Sequence, residues 1–458
     1  MEIAKLNFDV IVVGAGTSGA IAARFAAQQG LKVCLIDSNT RSEIGNKVCG
    51  DGVLATIFDF LQISPPKGDE LLSLKRGFRL YSPDQKSSLT IKIPLYFVDR
   101  LRFGQRLLNE AIDSGIDEFL DKTRAINLTY NKEGVDGIKV RLKNGSKVDL
   151  KSKIVIDASG CYSTLRRTIK STLIINEIPK RDLVLCFRSI VKLPSESKLI
   201  QDLDYCTLII DPDKRSPGGF IWYFPKSETI INIGLGTFIQ YKGSIKEYFQ
   251  KYVFDYFITQ TNFDIISSAG CVVPLRRPLL SCADNGIMFV GDAACHVDPA
   301  NGGGIDVGMR AGYYAAQVAK KAIYANDYSL NTLWDYNSII MSDFGAKHAV
   351  SDIIRLFFQY KPSKDLNFII KKNILTDTDI SKLWFHGELD LNYKAIIKKV
   401  LKGITRPKLL LELKSLTKYM NKVINLYKNY PNSVNSFEKW KEQEKSLFEK
   451  IYLKFILN

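Results

Sequence analysis

The sequence lacks the patterns that mark metal-binding, dithiol and membrane-spanning proteins. Only three of its 458 residues are histidine, and its eight cysteines include no C-x-x-C pair. We therefore expect neither a zinc cluster nor a thioredoxin-like dithiol, and we interpret most of the cysteines as buried thiols. No apolar run approaches the roughly 20 residues of a membrane span, and the first strand pattern begins too early for a secretory signal peptide. These absences predict a cytoplasmic protein.

Negative charge is outnumbered by positive charge, above all towards the C-terminus, where Lys and Arg are more frequent. The formal net charge is +16, and residues 361–458 hold 20 Lys and Arg against 10 Asp and Glu. A region of this charge attracts phospholipid head groups or an acidic electron-transfer protein, so peripheral association with a membrane surface is one expectation. No nucleic-acid-binding motif accompanies it, and we expect no nucleic acid partner. The alternative is a solvated helical face that keeps a lysine-rich protein soluble.

Residues 8–38, FDVIVVGAGTSGAIAARFAAQQGLKVCLIDS, have the pattern of a dinucleotide-binding βαβ unit. Gly14 makes a tight turn, Gly16 lets the backbone approach a pyrophosphate, and Gly19 lets helix and strand pack closely. Asp37 ends the second strand, where its carboxylate can accept hydrogen bonds from a ribose. A glycine turn without a ligand is the alternative, and the ordered succession of strand, glycines, helix, strand and acid argues against it.

Residues 289–319, FVGDAACHVDPANGGGIDVGMRAGYYAAQVA, distinguish FAD from NAD. The segment resembles the flavin-binding segment of the p-hydroxybenzoate hydroxylase fold. By this resemblance Asp292 holds the ribityl chain, and Gly304 and Ile305 begin a helix whose amides stabilise negative charge on the reduced flavin. Arg100 would reach the flavin and its phosphates. The alternatives are a turn aspartate at Asp292 and a surface salt bridge at Arg100.

Two short motifs narrow the resemblance to the geranylgeranyl reductase family. NKVCGDG, residues 46–52, looks like the loop in which that family places a Cys-Gly at the flavin. SPGGFIWYFPK, residues 216–226, is similar to its Pro-x-x-Tyr-x-Trp-x-Phe-Pro signature, with Phe220 in the place of tyrosine. Strand alternation places Phe220, Trp222 and Phe224 on one side, where they would wall an apolar slot. From periodicity alone, an aromatic stripe in the sheet core is the alternative.

The resemblance covers nearly the whole chain and implies the residues of the site. Those expected to bind FAD are Gly14, Gly16, Gly19, Asp37, Cys49, Gly50, Gly52, Arg100, Ala125, Asp292, Gly304 and Ile305. Those expected to line the substrate slot are Phe220, Trp222 and Phe224. Cys49 is also the candidate catalytic residue, and its alternative is an inert buried thiol. We expect no metal, because the three histidines form no evident ligand set.

The expected fold class is α/β, with three parts. A Rossmann-type FAD-binding domain of the p-hydroxybenzoate hydroxylase fold is discontinuous, with segments 1–64, 95–170 and 280–329. A β-rich substrate domain takes residues 65–94 and 171–279. A helical C-terminal domain takes residues 330–458, because the hydrophobic period is helical there.

By resemblance, the chain is an FAD-dependent reductase that saturates C=C bonds in the geranylgeranyl chains of an isoprenoid lipid, most similar to archaeal ether-lipid enzymes. No second GxGxxG is present, so NAD(P)H would dock transiently or ferredoxin would deliver the electrons. One alternative on the same fold is an aromatic hydroxylase or halogenase. Another is a non-enzymatic lipid-binding flavoprotein.

Overall fold

The computed structural model describes residues 7–197, 202–211, 215–241, 243–255, 262–386 and 406–456. Their strands are β1 (Asn7–Val13), β2 (Val33–Ile36), β3 (Gly52–Leu54), β4 (Leu71–Tyr81), β5 (Ser88–Val98), β6 (Glu118–Leu120), β7 (Arg124–Tyr130), β8 (Val135–Arg141), β9 (Lys147–Asp157), β10 (Leu183–Lys192), β11 (Tyr205–Ile210), β12 (Phe220–Pro225), β13 (Ile230–Phe238), β14 (Asp264–Pro274), β15 (Ala283–Asp284) and β16 (Ile287–Phe289).

The α-helices of the same residues are α1 (Thr17–Gln28), α2 (Thr56–Leu61), α3 (Arg100–Asp113), α4 (Thr164–Thr168), α5 (Ile245–Phe249), α6 (Ile305–Ala325), α7 (Leu330–Ile340), α8 (Ala346–Gln359), α9 (Ser363–Lys371), α10 (Asp377–His386), α11 (Pro407–Lys428) and α12 (Phe437–Phe455). Strands therefore dominate the middle of the chain and helices its end. The predicted α/β class with a helical C-terminal part is confirmed.

The first sheet has the order β15-β16-β9-β1-β2-β6, and β7 and β8 join it through β9. β1 lies between β2 and β9 and is parallel to both, so its apolar residues are buried on both faces, as is usual in a parallel sheet. Gly312 of α6 lets this helix approach α1 closely. A Cβ at this position would lie 2.2 Å from the carbonyl oxygen of Ser18 in α1, and glycine has none. Helix α6 therefore begins beside the glycine turn that precedes α1.

The second sheet has the order β14-β10-β13-β12-β11-β4-β5-β3. The pair β11 and β4 is parallel, and the other neighbours are antiparallel. The sheet includes β3 and the last residues of β5, which lie within the segments 1–64 and 95–170 of the expected FAD-binding domain. These two strands connect the second sheet directly to the loop 46–52.

A buried network of charges joins the C-terminal helices to the end of the second sheet. Arg277, three residues beyond β14, lies 2.6 Å from Glu444 of α12 and 3.0 Å from Asp352 of α8. Arg355 lies 2.6 Å from Asp352 and 3.1 Å from Asp182. All five side chains are buried. Because isolated charges are costly to bury, the members of this network stabilise one another and fix how the helices pack.

Candidate functional site

A main cavity of about 680 Å³ lies between the two sheets. Its walls come from the carboxyl ends of β1 and β2, the loop 46–52, the start of α6 and the strand β12. Every predicted site residue except Gly19 lines it; those residues are Gly14, Gly16, Asp37, Cys49, Gly50, Gly52, Arg100, Ala125, Phe220, Trp222, Phe224, Asp292, Gly304 and Ile305. Ligands of α/β sheets commonly bind at the carboxyl ends of the strands, which is where this cavity lies.

The glycine turn forms one end of the cavity. Gly14 has a φ of +100°, and a Cβ there would lie 2.6 Å from the carbonyl oxygen of Ala158. A Cβ on Gly19 would lie 1.8 Å from the carbonyl oxygen of Gly14, so Gly19 acts in packing and stands back from the cavity. Gly16 caps α1 without any side-chain hydrogen bond, which leaves the first amides of the helix available to an anion.

Asp37 is held in place beside this turn by backbone amides. The amide of Ala15 donates to one carboxylate oxygen at 2.8 Å, and the amide of Asn39 donates to the other at 2.8 Å. The carboxylate therefore has a fixed orientation at the edge of the cavity, and its remaining lone pairs can accept hydrogen bonds from a ribose.

Arg100 is a buried cation whose guanidinium is not fully hydrogen-bonded by the described residues. Its side chain is 8% exposed and lines the cavity, yet its Nε and one terminal nitrogen have no hydrogen-bond partner among the described residues. Buried polar groups are almost always paired, and unpaired N–H groups on a guanidinium are especially costly. A phosphate or a flavin oxygen would supply the missing acceptors.

Asp292 and Lys47, which both line the cavity, form an ion pair with 2.7 Å between Nζ and Oδ2. The carboxylate of Asp292 raises the pKa of Lys47. The turn at Gly291 is supported from behind by His296, whose Nδ1 accepts the amide of Gly291 at 3.2 Å. Burial lowers the pKa of His296 to about 3, so this ring is neutral and structural.

The loop that carries Cys49 is tied to the aromatic strand by Asn232 of β13. Its amide nitrogen donates to the carbonyl oxygen of Cys49 at 2.9 Å, and its oxygen accepts the indole N–H of Trp222 at 3.0 Å. Asp51 in the same loop lies 2.6 Å from Lys226. These contacts position Cys49 and Trp222 together, and burial raises the pKa of the Cys49 thiol.

The predicted aromatic wall faces the cavity. Phe220, Trp222 and Phe224 all line it, and their rings follow one another at centroid separations of 6.1 and 6.2 Å. The wall depends on glycine at two places: a Cβ on Gly234 would lie 2.2 Å from the indole of Trp222, and one on Gly50 would lie 2.9 Å from the ring of Phe224. The wall is continuous and apolar.

A second cavity of about 160 Å³ adjoins the main cavity at Phe220. Its lining is mostly aliphatic and comes from the second sheet and from helices α8, α9 and α10. Phe220, Val184, Leu208 and Leu275 line both cavities. Asp298 and Asn301 also line both, so the two cavities are neighbours that share a mostly apolar boundary.

FAD fits the residues of the main cavity. Gly16 leaves free space in front of α1, Arg100 offers unpaired N–H groups, and α6 begins at Gly304 without a side-chain cap. These are cationic and amide donors, which a dinucleotide with two phosphates and an electron-rich ring requires. Among the described residues, no group of His, Cys, Asp or Glu could hold a metal ion.

Comparisons with known proteins identify the class of protein and its family. Residues 9–164 match the family model of FAD dependent oxidoreductases, and residues 182–273 match that of the geranylgeranyl reductase catalytic domain. The fold and the site thus define an FAD-dependent oxidoreductase. The chain is 34% identical over 446 residues to a digeranylgeranylglycerophospholipid reductase of Sulfolobus acidocaldarius, which covers 96% of this chain and 97% of the relative. The chain belongs to the geranylgeranyl reductase family.

Further relatives are consistent with that assignment. A digeranylgeranylglycerophospholipid reductase of Thermoplasma volcanium is 31% identical over 360 residues, 75% of this chain and 85% of the relative. The crystal structure of a geranylgeranyl bacteriochlorophyll reductase-like protein from Thermoplasma acidophilum superimposes with a TM-score of 0.74 at 27% identity, covering 90% of this chain and 99% of that chain. The myxobacterial chondrochloren halogenase CndH, at 15% identity and a TM-score of 0.61 over 87% of this chain and 97% of that chain, shares the fold.

Several residues of the site were not predicted from the sequence. Lys47, Asp51, Lys226 and Asn232 are ordinary polar residues whose partners are distant in the chain. Lys47, Asp51 and Lys226 lay within the two recognised motifs, but nothing in those motifs marked them, and Asn232 lay outside both. Gly234 could have been found from its alternation with Gly236, because closely spaced glycines inside a strand often mark a close approach of another group.

Proposed function

We propose that this flavoprotein reduces the C=C bonds of geranylgeranyl chains in an archaeal ether-lipid precursor. The observation that carries the proposal is the aromatic wall of the main cavity together with the mostly apolar second cavity that adjoins it at Phe220. The names of its relatives support the same class of substrate. We also propose the FAD contacts given by the sequence, since the positions of Gly16, Asp37 and Arg100 support them. The domain boundaries given by the sequence are proposed as well, with β3 and the end of β5 as segments of the FAD-binding part that extend the second sheet.

Reduced FAD supplies a hydride from N5 when it is bound. An isolated alkene has no carbonyl group to stabilise developing charge, so the chain's own residues must act chiefly by placement and by excluding water. Trp222 and Phe224 are buried in the wall and would hold the alkene against the cofactor. Asn232 fixes the indole of Trp222 from behind, so the wall keeps one orientation.

Truncation of the aromatic wall tests the substrate assignment. We expect Phe220→Ala to lower kcat/KM for a geranylgeranyl lipid by about tenfold or more, because a buried aromatic contact contributes roughly 1.5–3 kcal/mol. FAD affinity, measured by titrating the flavin-free protein, should not change. Tyr324→Ala is the control, since Tyr324 is 73% exposed. Unchanged kcat/KM in Phe220→Ala would remove the wall from the substrate site.

Cys49 is proposed as the group that delivers a proton to the second alkene carbon. Because burial raises the pKa of its thiol, Cys49 carries its proton at neutral pH and can donate it. We expect Cys49→Ala and Cys49→Ser to reduce turnover by about a hundredfold, within the usual range for general acid catalysis. Cys206→Ala serves as the control, because Cys206 is buried away from the cavity. Unchanged turnover and product pattern would assign Cys49 no catalytic role.

Helix α11 presents a lysine face, which we define as Lys408, Lys414, Lys418, Lys422 and Lys428. All five are exposed and recur at helical spacing, and Leu411, 65% exposed, lies on the same side. The one acid of this helix, Glu412, is paired with Lys361 at 2.5 Å. We propose that the lysine face attaches the enzyme to an anionic lipid surface. No described helix is long and apolar enough to cross a bilayer.

Vesicle binding tests this attachment. Replacing Lys414, Lys418 and Lys422 by glutamine should weaken binding to phosphatidylglycerol vesicles by about a hundredfold at low salt, since each lysine near a surface contributes roughly 1 kcal/mol. The matched control replaces Lys439, Lys445 and Lys450 of α12, where exposed glutamates alternate with the lysines. If both triple variants lost vesicle binding equally, the lysine face of α11 would not be a specific attachment site. Normal vesicle binding with slower reduction by ferredoxin would point to an acidic protein partner.

The electron donor is proposed to be external, because the sequence holds no second GxGxxG. NAD(P)H would dock transiently, whereas reduced ferredoxin would bind through charge. Anaerobic mixing of the oxidised flavoprotein with each donor separates them: the physiological donor must bleach the flavin absorbance at least as fast as the enzyme turns over.

A further inference from the structure

Two cysteines face each other across neighbouring strands in the wall of the main cavity. Cys186 of β10 is directly opposite Cys271 of β14, and both side chains line the cavity. Directly opposite residues of antiparallel strands have Cα atoms about 4.5 or 5.5 Å apart. Both separations lie within the range of about 4.4–6.8 Å that a disulfide spans. The register of the two strands therefore places these cysteines within the Cα separation that a disulfide requires.

The surroundings of Cys271 favour a reactive thiolate more than those of the other cysteines. The thiol of Cys186 donates to Cys271, which lowers the pKa of the Cys271 thiol and, together with burial, raises the pKa of Cys186. The positive charges of Lys47 and Arg188 also lower the pKa of Cys271. Both cysteines are partly accessible from the cavity. By contrast, burial raises the pKa of the remaining thiols that show a resolved shift; these are Cys34, Cys49, Cys161, Cys206, Cys282 and Cys295. The thiolate is the reactive form.

We propose that Cys186 and Cys271 form a reversible disulfide site that hydrogen peroxide oxidises. The thiolate of Cys271 attacks one peroxide oxygen, the O–O bond breaks, and a sulfenic acid forms with release of one water after protonation. Cys186 then attacks the sulfenic sulfur, the S–S bond forms, and a second water leaves. The two thiols together lose two hydrogens and two electrons, and the peroxide becomes two waters. A dithiol reverses the step by exchange.

The disulfide acts on the loop 46–52. In the reduced form, the thiol of Cys271 donates to the carbonyl oxygen of Val48 at 3.7 Å, one residue before Cys49. Oxidation removes this donor, so the loop loses a contact to the second sheet beside the proposed proton donor. The oxidised enzyme therefore turns over more slowly than the reduced enzyme, and dithiothreitol restores it. The bond itself forms whether or not the proposed substrate is correct.

Mass spectrometry of the FAD-bound protein tests the proposal. After brief treatment with hydrogen peroxide, the intact wild-type chain should lose two hydrogen masses, and a non-reducing digest should contain one peptide pair joining Cys186 to Cys271. Cys206→Ala should behave like the wild type, whereas Cys186→Ala and Cys271→Ala should not form the link. Absence of the link in the wild type, or a link from Cys271 to Cys49, would overturn the proposal. Retained FAD absorbance shows that each variant is folded.

Discussion

Replacing Arg277 by methionine is expected to lower the free energy of unfolding by about 3–5 kcal/mol, the usual cost of removing one member of a buried ion pair. The guanidinium carbon of Arg277 lies 3.5 Å from the ring centroid of Phe448. Methionine fills much of the volume of the arginine stem, so the contact with this ring is largely kept. The loss is electrostatic: of the described residues, Glu444 would keep only the Tyr427 hydroxyl, at 3.1 Å. Urea unfolding followed by tryptophan fluorescence measures the change.

A matched control and an acid titration separate this effect from lost packing. Arg102→Met removes an exposed pair with Asp69 and should change the stability by less than about 1 kcal/mol. Burial alone would raise the pKa of Asp352, but Arg355 and Arg277 outweigh it and hold that pKa below its usual value. The corresponding stability is present above about pH 4 and is lost as the pH falls. The cost of Arg277→Met should therefore shrink in acid, and a constant cost would contradict the electrostatic account.

Gly16→Ala is expected to weaken FAD binding by about tenfold or more without loss of stability in the flavin-free protein. Gly16 has φ −66° and ψ −178°, an extended conformation that alanine adopts freely. An added Cβ would meet no protein atom within 4 Å, so it would enter only the space proposed for the pyrophosphate. Titration of the flavin-free protein with FAD measures the affinity, and thermal unfolding measures the stability.

Gly19→Ala distinguishes packing from cofactor contact at the same motif. Its Cβ would lie 1.8 Å from the carbonyl oxygen of Gly14, and backbone cannot yield as a side chain can. This variant should lose stability in the flavin-free form as well as FAD affinity. Normal FAD affinity in Gly16→Ala would contradict the placement of the pyrophosphate, whatever the behaviour of Gly19→Ala.

The features that the sequence predicted are those with local causes. The glycine turn, Asp37 and the helix that begins at Ile305 depend on short-range backbone geometry and on the order of strand, turn and helix. Strand alternation predicted that Phe220, Trp222 and Phe224 lie on the same face of the sheet. Periodicity alone could not distinguish the wall of a cavity from an aromatic stripe in the core. The family motifs supplied that distinction.

The features that the sequence did not predict depend on strand register and helix packing. Cys186 and Cys271 form no C-x-x-C pattern, so we did not expect a dithiol, yet the register of β10 and β14 places them face to face. Arg277 and Glu444 are 167 residues apart. No local pattern contains such pairs, because the contact arises only when distant elements pack.

The hydroxylase and halogenase alternatives rest on the fold that these enzymes share with this chain. The halogenase structures are 15–17% identical to it, with TM-scores of 0.59–0.61, so the likeness concerns the fold alone. The match of residues 182–273 to the geranylgeranyl reductase catalytic domain favours the reductase. The alternatives differ in what they do with oxygen, which gives a direct test.

Anaerobic single turnover tests the central claim most directly. The purified flavoprotein is photoreduced, a geranylgeranyl phospholipid is added, and flavin absorbance is followed together with the mass of the lipid. We expect the flavin to reoxidise without oxygen and the lipid to gain two hydrogens for each flavin oxidised. A flavin that stays reduced until oxygen is admitted, with the lipid unchanged, would contradict it.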